Sequence, residues 1–429
     1  MPPRRRSGSD SASPRSAGAR AAGRGKTDII RRMRHRSRPL VLFACLAILS
    51  PILLAQSKRA PAAPYYPGRF DWRTAAPGDA GVDAAKLKTA FEFAAANENP
   101  GNKDLAIDLA TSFGREPFDT PIGPIQPRGS LSAIVVKNGV IVGEWGDTAR
   151  VDMTFSVTKS FLSTVVGLLW QKGLIRDLAD PVRGYMPTPD LFDGPHNSKI
   201  TWDHLLRQTS DWQGTLWGKP DWADRPEGKT PADWPNRVLS EPGTRYKYND
   251  VRVNLLALAA LQVARRPLPE ILREEVMEPI GASNTWRWHG YENSWIELDG
   301  RKVQSMTGGG HWGGGMFISA RDMARFGYLF LRNGKWNDRQ IVSEKWIEMA
   351  RTPGPANAGY GYMNWFLNSA PKPAFANAPS TAVTFQGNGS NIVYIDWEND
   401  LVVVVRWIQQ RAFDDFIGQV LAATKPSER

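Results

Sequence analysis

Two β-hairpin patterns enclose the greater part of this chain, and they constrain its fold more than any other feature. In "SAIVVKNGVIVGEWG", residues 132–146, two β-rich runs meet at Asn138-Gly139, the pair most favoured in a two-residue hairpin turn. A second hairpin pattern, "NIVYIDWENDLVVVVRW", covers residues 391–407. Helical patterns from Asp83 and over residues 413–423 lie outside the hairpins, and mostly helical segments lie between them. We therefore predict an α/β fold, with a central antiparallel sheet flanked by helices and an inserted helical lobe.

The positive charge of the chain is concentrated at its N-terminus. The 429 residues carry a formal charge of +11. Residues 1–38 contain twelve Arg/Lys and two Asp, which gives 12 − 2 = +10 and leaves 11 − 10 = +1 for the rest of the chain. A nearly neutral folded part offers no surface suited to following the phosphates of a nucleic acid. We therefore expect no nucleic-acid partner.

The basic tail, residues 1–38, precedes seventeen uncharged residues, "PLVLFACLAILSPILLA" at 39–55. Seventeen is near the lower limit for a membrane-spanning helix and long for the core of a signal peptide, so a cleaved signal and a retained anchor both stay open. Arginines before such a segment keep that end in the cytoplasm, so we expect the rest of the chain to be exported to the periplasm. Residues 56–80, rich in Ala and Pro, are interpreted as a linker, and residues 81–424 as the folded domain.

A serine and a lysine stand three positions apart at the start of a long apolar helix pattern. In "TFSVTKS", residues 154–160, Ser156 precedes Lys159, and apolar residues follow at helical spacing to about Gly173. Positions i and i+3 share a helix face, and the free N–H groups of a first turn favour negative charge at Ser156. An idle ammonium on an apolar helix would be costly to desolvate, whereas a desolvated lysine can activate a serine hydroxyl. We predict that Ser156 is a nucleophile and Lys159 its base.

A second segment brings a tyrosine to the start of another long apolar helix pattern. It is "PGTRYKYND", residues 242–250, with Tyr248 after a Pro-Gly turn. With "FSVTKSFLSTVVGLLWQKGLIRDLADPVRGYMP", "ITWDHLLRQTSDW" and "GGGMFISARDMARFGYLFLRNGKW", it resembles the motifs of the serine beta-lactamase-related superfamily. That superfamily includes class C beta-lactamases, family VIII esterases, DD-peptidases and 6-aminohexanoate-dimer hydrolases. The likeness covers roughly residues 80–420 and implies the α/β fold predicted above, with the site between the sheet and the lobe.

The resemblance also implies roles for individual residues. Ser156 matches the nucleophile, Lys159 its partner, and Tyr248 the proton shuttle between nucleophile and leaving group. A phenol of ordinary pKa, ~10, serves as a base only when a nearby cation lowers that pKa, and we expect Lys159 to be the cation. An oxyanion hole needs two converging N–H groups, which we place at the backbone amides of Ser156 and Asn388.

The third motif departs from the family pattern. Phe385-Gln386-Gly387 stands where a Lys or His followed by Thr/Ser-Gly is common, so the cation that holds a substrate carboxylate is missing from this motif. We expect these three residues to border the substrate. A buried carboxylate without a partner is costly, so the departure favours a small uncharged ester or amide, unless Arg406 or Arg411 replaces the cation from elsewhere.

The residue two positions after Tyr248 also departs from the pattern. Asp250 occupies the Asn position of Tyr-x-Asn, and we place it among the substrate-binding residues. An aspartate close to Lys159 would hold that lysine protonated and move the role of base towards Tyr248. Alternatively, Asp250 turns away and pairs with Arg252 or Lys247. The sequence leaves both arrangements open.

Two further residues are candidates for contact with the substrate. Five tryptophans crowd residues 202–234, where a packed core accounts for some and an aromatic wall of the cleft for others, and we place Trp212 in that wall. His311 stands between two Gly triplets that suggest backbone close to the cleft floor, and both a structural and a substrate-binding role remain open for it. No Gly-x-Ser-x-Gly and no metal-ligand spacing occur, so we expect neither a nucleophile elbow nor a metal or other cofactor.

These observations predict an exported or membrane-anchored serine hydrolase that cleaves a small uncharged ester or amide through an acyl-enzyme on Ser156. One alternative is a penicillin-recognising enzyme like the beta-lactamases or DD-peptidases. The other is a catalytically inactive binding protein of the cell envelope with the same fold. Keeping Ser156, Lys159 and Tyr248 together argues against the binding protein, because a pure binder has no use for a buried ammonium.

Overall fold

The computed structural model describes residues 64–424, except residues 189, 370, 372 and 374. The basic tail, residues 1–38, and the uncharged segment, residues 39–55, lie outside the described residues, as does the first part of the linker. Within the described part of the chain, none of the helices combines the length and the hydropathy needed to cross a bilayer.

The described residues form fourteen strands and ten α-helices, joined by short 3₁₀ turns, one π-helical turn and loops. The strands are β1 (Ser132–Lys137), β2 (Val140–Trp145), β3 (Asp152–Met153), β4 (Thr215–Leu216), β5 (Lys219–Pro220), β6 (Arg287–Leu298), β7 (Arg301–Met306), β8 (Gly315–Ile318), β9 (Lys335–Trp336), β10 (Arg339–Gln340), β11 (Trp365–Phe366), β12 (Val383–Gly387), β13 (Asn391–Asp396) and β14 (Leu401–Arg406). The helices are α1 (Ala84–Ala96), α2 (Leu105–Phe113), α3 (Thr158–Gln171), α4 (Gly194–Asn197), α5 (Trp202–Leu206), α6 (Asp250–Ala264), α7 (Leu268–Leu272), α8 (Ala320–Leu331), α9 (Glu344–Ala350) and α10 (Phe413–Thr424).

The main sheet has six antiparallel strands in the order β11-β12-β13-β14-β1-β2. Both hairpins predicted from the sequence are present, as β1–β2 and β13–β14. Asn138 and Gly139 have φ of 52° and 84°, the left-handed pair that a tight turn between twisted strands requires. The two hairpins pair with each other through β1 and β14, although more than 250 residues separate those strands in the chain.

Helices cover both faces of this sheet, which explains the unbroken apolar run of β14. Leu401, Val403 and Val405 lie on the face that packs with α1 and α10. Val402 and Val404 lie on the opposite face, which packs with α8. Successive side chains of a strand point to opposite faces, so a strand buried on both faces shows no polar alternation.

A smaller sheet and a group of helices complete the fold. The smaller sheet has the order β3-β8-β6-β7, and β3 leads directly into the turn before α3. Helices α3 and α6 pack together, and α5 packs on α6, in the helical part between the two hairpins. The α/β fold with an antiparallel sheet, flanking helices and an inserted helical lobe is therefore confirmed.

Residues 64–80, part of the stretch interpreted as a linker, contact the domain. The indole N–H of Trp72 donates to the carbonyl of Gly139 at 2.8 Å, and Ala75 N donates to Ile141 O at 2.9 Å. The ring of Tyr66 lies 5.5 Å from that of Trp336, centroid to centroid. Residues 64–80 are thus part of the packed structure.

Candidate active site

Ser156 lies in a short 3₁₀ turn, Phe155–Val157, immediately before α3. The sequence predicted Ser156 in the first turn of the long helix, and the structure places it just before that turn. Phe155 has φ of 48°, a left-handed conformation that is strained for an aromatic residue. The Phe155 carbonyl accepts a hydrogen bond from Thr158 Oγ1 at 2.5 Å, which ties the strained residue to the helix. The nucleophile candidate is therefore held on a fixed turn.

Lys159 is buried and lies against Ser156, as the i, i+3 spacing predicted. Its Nζ donates to Ser156 Oγ at 2.7 Å and to the Gly308 carbonyl at 3.1 Å, and it lies 2.6 Å from Asp250 Oδ1. Two of the three N–H donors of the ammonium thus have hydrogen-bond acceptors, and the Asp250 carboxylate forms an ion pair with its charge. This geometry is that of a charged lysine which stabilises negative charge on the serine oxygen.

The position of Asp250 decides between the two arrangements left open by the sequence. Its carboxylate pairs with Lys159, and its backbone N–H donates to Asp224 Oδ2 at 2.5 Å. Burial alone would raise the pKa of the Asp250 carboxyl, but the Lys159 ammonium, His311 and Arg225 hold that pKa well below its ordinary value. Burial, together with the charge of Asp250, raises the pKa of Asp224 to about 6.

Tyr248 precedes α6 and lies over the lysine. The centroid of its ring is 5.0 Å from Lys159 Nζ, and the ring stacks on Trp365 with centroids 5.7 Å apart. Burial, reinforced by the Asp250 charge, raises the pKa of the Tyr248 phenol, and a hydrogen bond with Ser156 opposes this only in part. The pKa of Tyr248 is thus raised and not lowered as expected, because burial and the charge of Asp250 outweigh the Ser156 hydrogen bond and the Arg225 cation. Tyr248 is a neutral phenol in the resting site.

The end of β12 runs directly beside the turn that holds Ser156. A Cβ on Gly387 would lie 2.1 Å from the Thr154 carbonyl oxygen and 3.1 Å from Ser156 N, so only glycine allows this approach. Ser156, Gly387 and Asn388 border one cavity. The structure thus brings together the two residues, Ser156 and Asn388, whose amides were predicted to form the oxyanion hole.

This cavity has a volume of about 310 Å³, which suits a small molecule. Aromatic and polar groups both contribute to its wall. The lining residues are Phe113, Phe155, Ser156, Arg225, Tyr248, Asp250, Gly309, Gly310, His311, Trp365, Gln386, Gly387 and Asn388. Of the residues predicted to bind substrate, Asp250, Gln386, Gly387 and His311 are therefore at the cavity.

Two predicted substrate-binding residues lie elsewhere. Phe385 is fully buried, and its ring packs 4.9 Å from that of Phe330 in the core. Alternate residues of a strand face opposite sides, so Gln386 takes the cavity side of β12 and Phe385 cannot. Trp212 is also fully buried in the core, where its indole N–H donates to the Leu191 carbonyl at 2.6 Å. Neither Phe385 nor Trp212 borders the cavity.

A cation does reach the cavity, from a residue that the sequence did not single out. Arg225 lies in the loop before Tyr248, and its side chain is 41% exposed although one guanidinium nitrogen pairs with Asp224. Its guanidinium carbon lies 5.0 Å from the centroid of the Tyr248 ring. The two arginines suggested as replacements for the missing cation do not take its place. Arg406 is buried and donates to backbone carbonyls, and Arg411 does not border the cavity. No periodicity or motif marked the loop of Arg225.

His311 is 3% exposed and faces carboxylates on both edges of its ring. Nε2 lies 3.3 Å from Glu116 Oε2, and Nδ1 lies 3.7 Å from Asp250 Oδ2. Glu116, Asp224 and His311 bring three potential metal ligands within 4.8 Å of one another. The guanidinium of Arg225 already pairs with Asp224 and opposes a second cation there, so we do not assign a metal to this cluster.

Comparison with known proteins places this geometry in context. The beta-lactamase family model matches residues 123–416. The 6-aminohexanoate-dimer hydrolase of Paenarthrobacter ureafaciens is 26% identical over 272 residues, which cover 59% of this chain and 64% of that protein. The match thus spans less than two thirds of this curated relative.

Two solved structures illustrate the similarity in fold. EstCE1, a hydrolase with promiscuous acyltransferase activity, has a TM-score of 0.52 at 15% identity, covering 79% of this chain and 98% of its own. The octameric penicillin-binding protein homologue from Pyrococcus abyssi has a TM-score of 0.50 at 20% identity, covering 70% and 74%. The family model matches well over half of the chain, and the chain belongs to the beta-lactamase family.

Proposed function

We propose that this protein is a serine hydrolase that cleaves a small ester or amide through an acyl-enzyme on Ser156. One observation carries the proposal: Lys159 Nζ, paired with Asp250, donates to Ser156 Oγ at 2.7 Å beside a cavity of about 310 Å³. A buried ammonium aimed at a serine oxygen stabilises the negative charge that develops there on attack. The relative's name, 6-aminohexanoate-dimer hydrolase, supports the same class of reaction.

The arrangement accounts for each proton in the acylation step. Ser156 Oγ attacks the carbonyl carbon, and the negative charge that forms on the carbonyl oxygen is stabilised by the amides of Ser156 and Asn388. Tyr248, a neutral phenol, takes the serine proton while it gives its own proton to the leaving group. The bond to the leaving group then breaks, and an alcohol or amine departs. Lys159 remains an ammonium throughout.

Deacylation reverses the roles. Water attacks the acyl-enzyme, its proton passes through Tyr248 to Ser156 Oγ, and a carboxylic acid leaves. The two steps balance with the substrate and water as the reactants.

The nucleophile assignment is tested with Ser156→Ala. We expect this variant to lose hydrolysis of p-nitrophenyl butyrate and labelling by a fluorophosphonate probe while its circular dichroism spectrum stays that of the wild type. Full turnover by the variant would refute the assignment. A wild-type protein that is folded but neither labelled nor active would favour the inactive binding protein.

Arg225 favours a second candidate, an amide or ester that carries a carboxylate. The preference for uncharged substrates rested on Phe385 facing the substrate, and Phe385 lies in the core. Arg225 borders the cavity and has guanidinium N–H groups beyond the one paired with Asp224. Comparison of nitrocefin, a D-Ala-D-Ala peptide and uncharged p-nitrophenyl esters on one preparation decides between the candidates. Faster turnover of the uncharged esters would favour the first.

We further propose that the domain is exported and that residues 39–55 act as its signal or membrane anchor. The proposal is supported by the charge of +10 on residues 1–38, directly before seventeen uncharged residues. A C-terminal alkaline phosphatase fusion is expected to be active in a bacterial host. An inactive phosphatase fusion beside a fluorescent C-terminal fusion would show the reverse orientation.

A further inference from the structure

Arg406 is a buried cation that takes no part in the proposed proton transfers. It ends β14 and is 1% exposed. Nε donates to Asn391 Oδ1 at 2.8 Å, Nη1 to the Ile318 carbonyl at 2.5 Å and Nη2 to the Met153 carbonyl at 2.9 Å. All three acceptors are uncharged oxygens. A guanidinium is costly to bury, but its planar fork fixes the directions of several acceptors at once.

Two of these acceptors belong to the strands beside the turn of the nucleophile. Met153 ends β3, and two residues separate it from Ser156. Ile318 ends β8, which pairs with β3. Arg406 therefore joins β14 of the main sheet to the two strands of the smaller sheet that lead up to Ser156.

Asn391 extends this link to the other side of the predicted oxyanion hole. It is fully buried at the start of β13, and its Nδ2 donates to the Asn388 carbonyl at 2.8 Å. The partners fix the orientation of the side-chain amide, since a guanidinium only donates and a carbonyl only accepts. Asn388 begins the turn of residues 388–390 between β12 and β13, and its backbone N–H is the second predicted oxyanion donor. Asn391 thus holds the turn that carries this N–H.

Trp407, the next residue after Arg406, contacts the same turn and the same strand. A Cβ on Gly389 would lie 2.4 Å from the Trp407 ring, and the Trp407 indole N–H donates to Asp152 Oδ2 at 3.1 Å. Consecutive residues of a strand face opposite sides, but Trp407 follows the end of β14 and has φ of 66°, so it does not continue that alternation. The end of β14 therefore packs on both the turn 388–390 and β3.

We propose that Arg406 and Asn391 are positioning residues that align the two backbone amides of the oxyanion hole at Ser156. The inference rests on the proposed function. The hydrogen bonds from Met153 through Arg406 and Asn391 to Asn388 fix the strand before the nucleophile relative to the turn after β12. An oxyanion hole acts only when both N–H groups point at one oxygen, and a shift of about 1 Å can cost about a hundredfold in rate.

Asn391→Asp separates this role from a contribution to stability alone. A carboxylate at this position still accepts from Arg406 but has no N–H to donate to the Asn388 carbonyl. In the full-length chain, kcat for p-nitrophenyl butyrate is measured per Ser156 that a fluorophosphonate probe labels at saturation, so unfolded protein does not count. We expect kcat to fall at least about tenfold with KM within about twofold of the wild type, because the amides stabilise the transition state.

Asn197→Asp is the matched control. Asn197 Oδ1 accepts from Gln213 N at 3.1 Å, and Nδ2 donates to the Gln213 carbonyl at 2.8 Å, so the substitution removes the same kind of hydrogen bond. Asn197 does not border the cavity, and this variant should keep the kcat of the wild type.

Two further variants complete the experiment. Arg406→Lys keeps the positive charge but has no planar fork, and its kcat should fall as in Asn391→Asp. Asn391→Ala removes both hydrogen bonds of the side chain without adding a charge, and it replaces Asn391→Asp if that variant does not fold.

Two results would overturn the inference. One is a kcat within about twofold of the wild type in a folded variant of either residue. The other is an equal loss of kcat in Asn197→Asp. With the wild type labelled and active, either result refutes only the positioning role and leaves the proposed hydrolase standing. Absence of labelling in the folded wild type would refute the proposed function and this inference with it.

Discussion

Gly387→Ala tests the closest backbone approach in the site. A Cβ at this position would lie 2.1 Å from the Thr154 carbonyl oxygen, and real Cβ atoms essentially never come within 3.0 Å of such an atom. The end of β12 and the turn of Ser156 must therefore separate by about 3.0 − 2.1 = 0.9 Å. The nearest atoms, Thr154 O and Ser156 N, both belong to the backbone, so no flexible side chain can absorb the shift.

The expected loss of activity follows from the two backbone amides that lie on either side of that contact. The amides of Ser156 and Asn388 would no longer converge on one oxygen, and losing one oxyanion donor costs about 10²–10³-fold in kcat. The strain itself should lower the free energy of unfolding by about 1–3 kcal/mol. We therefore expect kcat for p-nitrophenyl butyrate to fall at least about a hundredfold while the protein remains folded.

Gly184→Ala is the matched control, because no atom lies within 4 Å of a Cβ built there and its φ is not left-handed. This control should keep the kcat of the wild type, and circular dichroism melting curves of both variants separate strain from loss of activity. A Gly387→Ala protein with kcat within about threefold of the wild type would refute the assignment of the oxyanion hole to this strand end.

Three further predictions concern stability and substrate choice. The Asp224 carboxyl has a pKa of about 6 in the folded protein and ~3.9 in the unfolded chain, so the stability that this carboxyl contributes is present below pH ~4 and lost as pH rises through 6. Asp224→Asn, which cannot ionise, should therefore be more stable than the wild type by up to about 3 kcal/mol at pH 7.5 and no more stable at pH 4, as measured by urea unfolding. An equal difference at both pH values would contradict the raised pKa. Trp212→Ala should lower the free energy of unfolding by about 3–5 kcal/mol because its indole fills the core, whereas a change confined to KM would mean that it contacts substrate after all. Arg225→Met should lower the ratio of kcat/KM for mono-p-nitrophenyl glutarate to that for p-nitrophenyl butyrate by about tenfold, and an unchanged ratio would exclude Arg225 as a carboxylate-binding residue.

The sequence by itself determined the features that depend on neighbours in the chain. Asn138-Gly139 specifies a tight turn because both residues tolerate a positive φ, and the hairpin β1–β2 follows from it. Ser156 and Lys159 meet because three positions along a helical backbone return to the same face, even though the first turn is 3₁₀. The resemblance to a known family added Tyr248 and the end of β12 to the predicted site, because the motifs occur in the order that is typical of that family's fold.

Only the tertiary structure decided which groups surround Ser156 and Lys159. Sequence spacing could not show whether Asp250 faces Lys159 or Arg252, because both alternatives lie within reach of the start of α6. Phe385 and Gln386 point to opposite sides of β12, and which side meets the cavity depends on how the sheet packs against α8. Asp224 and Glu116 stand in loops without periodicity, and they approach His311 from 87 and 195 residues away in the chain. Arg225, in the same loop as Asp224, pairs with Asp224. The charge at the site is thus set by long-range packing, which no local pattern of residues encodes.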